Sequence, residues 1–149
     1  MNYIRQIPSW DVYALRLAEV ASIRSPDPYV QVGASALDHN NRVLGVAYNG
    51  LAPGTTMSGY FWADRDGRRP YILHAECNLL SLFKRGEARL IACTLLPCSC
   101  CARQIIAHGI KQVVYRDNYT KDMNALDIFK FYNIEIIQLP SPIKSTSIK

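Results

Sequence analysis

Residues that bind metals crowd into two short stretches of the chain, LHAECNLL and LLPCSCCARQII. In the first, His74 stands two places before Glu76; in the second, Cys98 and Cys101 follow Pro97, with Cys100 between them. Imidazole and thiolate are donors that zinc prefers, and a catalytic zinc takes three protein ligands and keeps one position open. His74, Cys98 and Cys101 supply that set. The two cysteines are one helical turn apart, so both sulfurs can converge on one ion. Pro97 suits a helix start, where outward-pointing backbone N–H groups help to hold thiolates. Such a centre lowers the pKa of a bound water to roughly 7 and presents hydroxide as a nucleophile. Glu76 is not expected as a ligand, because positions i and i+2 of a helix point to different sides. Beside the water it would take and return protons. Two other uses of the same residues stay open. A closed structural zinc site would need a fourth ligand, for which Cys77 or Cys93 stands available, and a bare Cys-x-x-Cys also serves redox chemistry. Otherwise Cys77, Cys93 and Cys100 read as small buried apolar residues.

Several elements must position these groups. Ser9 is an N-cap for a helix over WDVYALRLAEVASIR, which SPDP stops. YVQVGASALD and RVLGVAYN, joined by HNN, read as an antiparallel hairpin. A polar connection from Gly50 to about Pro70 is long for a compact domain and therefore reads as functional or partly mobile. Beyond it, helices and strands alternate: helix 74–85, strand 89–96, helix 98–108, strand 111–116, helix 123–131 and strand 134–139. That order predicts an α/β fold, a mixed sheet sandwiched between helices with the hairpin at one end. Residues 140–149 read as a flexible tail. His39 in the hairpin loop and His108 before Gly109 need only surface or capping roles. Trp10 is expected to staple the first helix to the core, Trp62, in the long connection, to pack against a neighbouring subunit, and LDIFKFY to form a packing face.

Composition limits the partners. A chain of 149 residues suits one domain, here spanning 1–149. Hydrophobic residues make up 49% and charged residues 19%, and 17 basic against 12 acidic residues give a net charge of +5. The basic residues are scattered except in RDGRR (65–69) and FKRGEAR, which favours a small phosphate-bearing molecule over a nucleic-acid track. No apolar run reaches membrane-spanning length and the first residues lack a secretory apolar core, so a cytoplasmic setting with reduced thiols is expected.

The H-x-E…P-C-x-x-C order matches the known signature of zinc nucleobase deaminases. More broadly, the chain resembles the cytidine deaminase superfamily and, within it, the deoxycytidylate (dCMP) deaminases. RSPDPYVQVGA, GVAYNG, HAECN and PCSCCARQIIAHGIKQVVYRDNY carry the likeness, which covers about residues 10–132. It implies a five-stranded sheet between helices, hydrolysis of dCMP to dUMP and ammonia to feed thymidylate synthesis, and a homo-oligomer, with a hexamer favoured. His74, Cys98 and Cys101 would hold Zn2+ and Glu76 would shuttle protons. Asn49 would bind the pyrimidine or deoxyribose edge, Tyr119 would close over the substrate, and Arg24 and Ser25 would hold the 5′-phosphate. Asp27, Gly50 and Gly54 would contribute to a site for dCTP (activator) or dTTP (inhibitor) with Mg2+. Gly50 to Leu73 contains no Cys or His, so no second zinc is expected there. Simpler roles stand beside these: Asn49 shaping the turn before Gly50, Arg24 complementing its own helix end, Ser25 marking a turn, and Tyr119 lying in a loop. A tRNA adenosine deaminase, a dCTP-accepting deaminase and a structural-zinc interaction module are the competing functions. Membrane partners are not expected, and nucleic acid is disfavoured.

Overall fold

The computed structural model describes residues 4–140; the expected tail past residue 140 lies outside the described residues. The elements are α1 (Trp10–Ser22), β1 (Gly33–Asp38), β2 (Val43–Tyr48), α2 (Gly59–Ala63), a 3-10 turn (Arg69–Tyr71), α3 (Ala75–Leu80), β3 (Ala88–Leu95), α4 (Ser99–Ala107), β4 (Gln112–Asp117), α5 (Asn124–Phe131) and β5 (Glu135–Gln138). The five strands form one sheet in the order β2-β1-β3-β4-β5. β1 pairs antiparallel with both β2 and β3, whereas β3–β4 and β4–β5 are parallel.

Alternation along the strands creates two cores. Leu37, Leu90, Ala92 and Val114 pack with Ala14 and Leu15 of α1 on one face. Ala34, Ala36, Ile91, Cys93, Val113 and Tyr115 face the other way and meet Leu79 of α3, Ala102 and Ile105 of α4, and Phe129 of α5. Side chains two apart in a strand share a face, so one hydrophobic run serves both layers. The result is the expected sandwich of helices about a mixed five-stranded sheet, with the hairpin at its edge.

Local chemistry sets the boundaries. Ser9 accepts from the Val12 N–H at 3.3 Å and starts α1. Asn41 turns the hairpin at φ 61°, while Asp38 accepts from the Asn40 and Arg42 N–H groups at 2.8 Å. Gly109, at φ +83°, ends the α4 segment where a side chain would be strained. Gly33 is required for space: a Cβ there would lie 1.8 Å from the Ala18 carbonyl oxygen of α1.

The observed elements depart from the sequence reading in places. The first strand begins at Gly33, not near Tyr29. The Asp27 carboxylate takes the Tyr29 and Val30 N–H groups, and the Asn49 amide bridges the Val30 carbonyl and the Val32 N–H, so side chains occupy backbone groups that strand pairing there would use. The helix expected over 74–85 ends at Leu80. There the Ser81 hydroxyl bonds the Asn78 carbonyl, and a turn follows to Gly86 at φ +85°. Trp10 is 51% exposed and stacks edge-on with Tyr13 rather than entering the core. In LDIFKFY, Phe129 is buried but Phe131 is exposed. His108 bonds the Phe83 carbonyl and His39 that of Gly86, both at 3.0 Å, in keeping with surface and capping roles.

Gly33→Ala is expected to force α1 off the sheet, lowering stability by about 1–3 kcal/mol or preventing folding. Thermal melting of the variant against the parent chain measures it; an unchanged melting temperature would refute the packing account.

Candidate metal centre and active site

Both parallel strands β3 and β4 release their chains toward one crevice at their carboxyl ends, the usual place for a ligand in such sheets. After β3 the chain turns at Pro97 into α4, with Cys98 as N-cap and Cys101 in the first turn. His74 is the N-cap of α3, and Glu76 follows in that helix's first turn. Two helix starts therefore meet. His74 Nδ1 lies 3.6 Å from Cys98 Sγ and 3.4 Å from Cys101 Sγ, and the three donor atoms all lie within 4.8 Å of one another. Zinc–sulfur and zinc–nitrogen bonds of about 2.3 and 2.0–2.1 Å in a tetrahedron would set N and S about 3.6 Å apart. The donors already stand at that separation, so their type and spacing fit zinc.

The electrostatics point the same way. Hydrogen bonding from Cys101 lowers the Cys98 thiol to about 4, with His74 adding to the effect. The same contact, reinforced by burial, holds the proton on Cys101. Interaction with Cys98 raises His74. The three groups thus share protons that a divalent cation would displace. Glu76 is only 4% exposed. Its burial raises its pKa, against the opposing pull of the nearby His74.

Around these groups lies a cavity of about 400 Å³. His74, Glu76 and Cys98 line its floor, Val30, Ile72 and Leu96 give it apolar walls, and Asn118 to Lys121 enter from the loop after β4. A larger, shallower hollow beside β5 carries none of these donors. Asn49 and Tyr119 line the central cavity. Asn49 is buried, its amide oxygen accepting from the Val32 N–H at 2.8 Å and its nitrogen donating to the Val30 carbonyl at 2.9 Å. One N–H and one acceptor lone pair of that amide remain.

Other sequence-predicted residues lie elsewhere. Arg24 is exposed and does not line the cavity. The Ser25 hydroxyl donates to the Asn49 carbonyl at 2.9 Å and also lies off the cavity wall. Asp27 is in the wall but already engaged, since Arg68 donates to its Oδ1 at 2.7 Å in an ion pair whose side chains are 6% and 5% exposed. Gly50 joins Leu73 through two backbone hydrogen bonds of 3.0 and 2.8 Å, closing the base of the long connection. Gly54 lies in open space, where an added Cβ would meet nothing within 4 Å. Cys93 is buried, but Cys77 and Cys100 are exposed, which corrects the expectation that all three are buried. Cys77 follows the buried Glu76 on α3 and Cys100 precedes the buried Cys101 on α4, so their side chains turn outward.

Sequence reasoning missed two supports. Asp122 caps α4, accepting from the Ser99 N–H and hydroxyl at 2.7 Å each; these bonds hold its carboxyl below the usual range and pin the loop that carries Tyr119. Arg68, drawn to Asp27 across 41 residues, ties the long connection to the cavity wall. The RDGRR run was the available signal for it.

Residues 8–117 match the family described as the cytidine and deoxycytidylate deaminase zinc-binding region. The chain belongs to that family. Deoxycytidylate deaminase of Mus musculus is 32% identical over 122 residues, which cover 76% of this chain and 67% of that one. An uncharacterized deaminase of Aliivibrio fischeri is 35% identical over 150 residues, covering 92% and 98%. The fold is that of the dCMP deaminase from cyanophage S-TIM5, solved in complex with dCMP and dUMP. It superposes with a TM-score of 0.75 at 25% identity, covering 91% of this chain and all of that one (100%). Among the described residues, no helix is long and apolar enough to cross a membrane.

Zinc uptake is expected to release the proton that Cys101 retains, so affinity should fall about tenfold per pH unit of acidification for each proton displaced. Competition titration with a metal indicator between mildly acidic and neutral pH measures this; pH-independent binding would refute the thiolate ligand set.

Proposed function

We propose that this protein hydrolyses dCMP to dUMP and ammonia. The observation that carries the reading is the placement of one buried carboxylate, Glu76, beside a cluster of three zinc-type donors at the floor of a cavity that His74, Cys98 and Glu76 itself line. Family membership supports it, as do relatives that are named for this reaction. When bound by His74 Nδ1 and the sulfurs of Cys98 and Cys101, zinc supplies an acidified water.

The chain's own residues do the rest. Glu76 takes a proton from the attacking water, returns it to the pyrimidine ring nitrogen, and assists departure of ammonia from C4. Its raised pKa suits a group that must both accept and give back a proton. The free N–H of Asn49 meets the pyrimidine or sugar edge, held by bonds to Val30 and Val32. Tyr119, on the loop fixed by Asp122, covers the substrate. The apolar walls exclude water from the base. Activation by dCTP, inhibition by dTTP with Mg2+, and assembly into a hexamer belong to the same proposal and rest on the resemblance.

Glu76→Gln should retain zinc at the parent stoichiometry while ammonia release falls by about 10²–10⁴-fold. Metal analysis alongside a coupled ammonia assay measures both; undiminished activity removes Glu76 from the mechanism. A panel of dCMP, dCTP, CMP, cytidine and deoxycytidine, assayed with and without dCTP or dTTP, is expected to give turnover confined to dCMP and responsive to the triphosphates. Turnover of an adenosine-containing anticodon stem-loop instead would favour the tRNA deaminase reading.

A further inference from the structure

The asparagine that closes HAECN takes no part in the chemistry described above, yet it joins the two halves of the site. Asn78 lies on α3, where its backbone N–H donates to the His74 carbonyl at 3.1 Å and closes the first turn of the helix that carries Glu76. Its side-chain Nδ2 donates to the Tyr48 carbonyl at 2.9 Å, one residue before Asn49. That carbonyl needs a partner from outside the sheet. β2 is an edge strand, and Tyr48 stands opposite Gly33, while the neighbouring Asn49 N–H bonds the Val32 carbonyl at 3.1 Å. Hydrogen-bonded and non-hydrogen-bonded pairs alternate along an antiparallel ladder, so the Tyr48 carbonyl points off the open edge. Asn78 is partly buried and does not line the cavity, so its side chain acts on the strand and not on a ligand. On the other side of His74, Leu73 exchanges its two backbone bonds with Gly50. The segment 48–50 is therefore fastened to the chain both before and after the metal donor.

The geometry points to Asn78 as a positioning residue that sets the spacing between the floor, His74 with Glu76, and the wall that holds the base at Asn49. This deepens the function proposed above and rests on its reading of Asn49 as a substrate contact. The side-chain bonds that fix Asn49 run to Val30, Val32 and Ser25, and none of them reaches α3. The Gly50–Leu73 pair alone would leave α3 free to pivot about one point. Asn78, a helical turn beyond His74, adds a second point and removes that freedom. Reacting atoms tolerate little displacement, and about 1 Å of misplacement costs on the order of 100-fold in rate. Loss of the Asn78 donor should therefore reduce turnover, while the metal donors and the wall's own bonds stay in place.

Loading the full chain with Co2+ in place of zinc gives a readout besides turnover, because the visible bands of that ion follow its donor geometry. In Asn78→Leu, cobalt stoichiometry, the bands without ligand and the calorimetric affinity for dUMP should match the parent. The band shift that dUMP produces in the parent should shrink, and kcat for dCMP in the zinc-loaded variant should fall about 10- to 100-fold with KM unchanged. Asn78→Gln, which returns an N–H on a longer arm, should recover part of both. Asn78→Asp has the parent shape without the donor and repeats the test if the leucine variant fails to fold. Four results overturn the positioning role: kcat and band shift as in the parent, metal stoichiometry falling in step with kcat, a glutamine variant no better than leucine, or failure of both donorless variants to fold. A parent with no band shift on adding dUMP overturns it too. Ammonia release by the parent is scored separately. A parent that leaves dCMP intact defeats the deaminase reading, while the dUMP band shift and its loss still decide the role of Asn78; a parent that deaminates dCMP and is matched in full by Asn78→Leu does the reverse.

Discussion

An imidazole and two thiolates reach a common point only if two separate helices begin within a few ångströms of each other, and the rest of the architecture answers to that demand. α3 and α4 flank β3 in sequence, one leading into it and the other leaving it, and both pack on the same face of the sheet. The strand's length and the turn at Pro97 therefore fix where Cys98 falls relative to His74. Both helices begin with a donor residue as N-cap. At the start of α4 the Cys101 N–H donates to Cys98 Sγ at 3.5 Å, which favours the thiolate form of Cys98. The scaffold thus sets donor geometry and donor charge by the same placement.

Support for the site extends outward through a chain of bonds. Ser25 holds the Asn49 carbonyl, the Asn49 amide holds residues 30 and 32, Asp27 holds residues 29 and 30, and Arg68 holds Asp27. Each polar group in this wall is buried or partly buried, so leaving one unpaired is costly and the arrangement is tightly specified. Asp122 does the equivalent work on the other side, fastening the Tyr119 loop to the start of α4. A floor of metal-type donors with two independently braced walls suits discrimination by shape.

Much of this was legible in the sequence where the signal is local. The alternation of β3 and β4, the Ser9 cap, the hairpin turn and the order of helices and strands each follow from residues within a few positions of one another. The three donors were legible because their types are scarce and their spacing suits helix starts. The first strand and α3 were read too long because side chains captured their backbone: the Asp27 carboxylate before β1, and the Ser81 hydroxyl after Leu80. Asp27 with Arg68, and Asp122 with Ser99, join residues 41 and 23 apart, a separation no periodicity encodes. The exposure of Cys77 and Cys100 was readable in principle from helical phase, since each neighbours a residue that must face inward.

The paired backbone bonds between Gly50 and Leu73 give the intervening segment a closed neck, so it leaves and rejoins the scaffold at nearly one spot. Changing how much chain lies beyond such a neck costs little conformational entropy, with each doubling worth only about 0.6 kcal/mol. The length of that segment is consequently exchangeable: descendants of this scaffold can lengthen or shorten it and alter what the cavity admits while the sheet and the donor atoms stay in place, provided a partner for the buried Asp27 is kept.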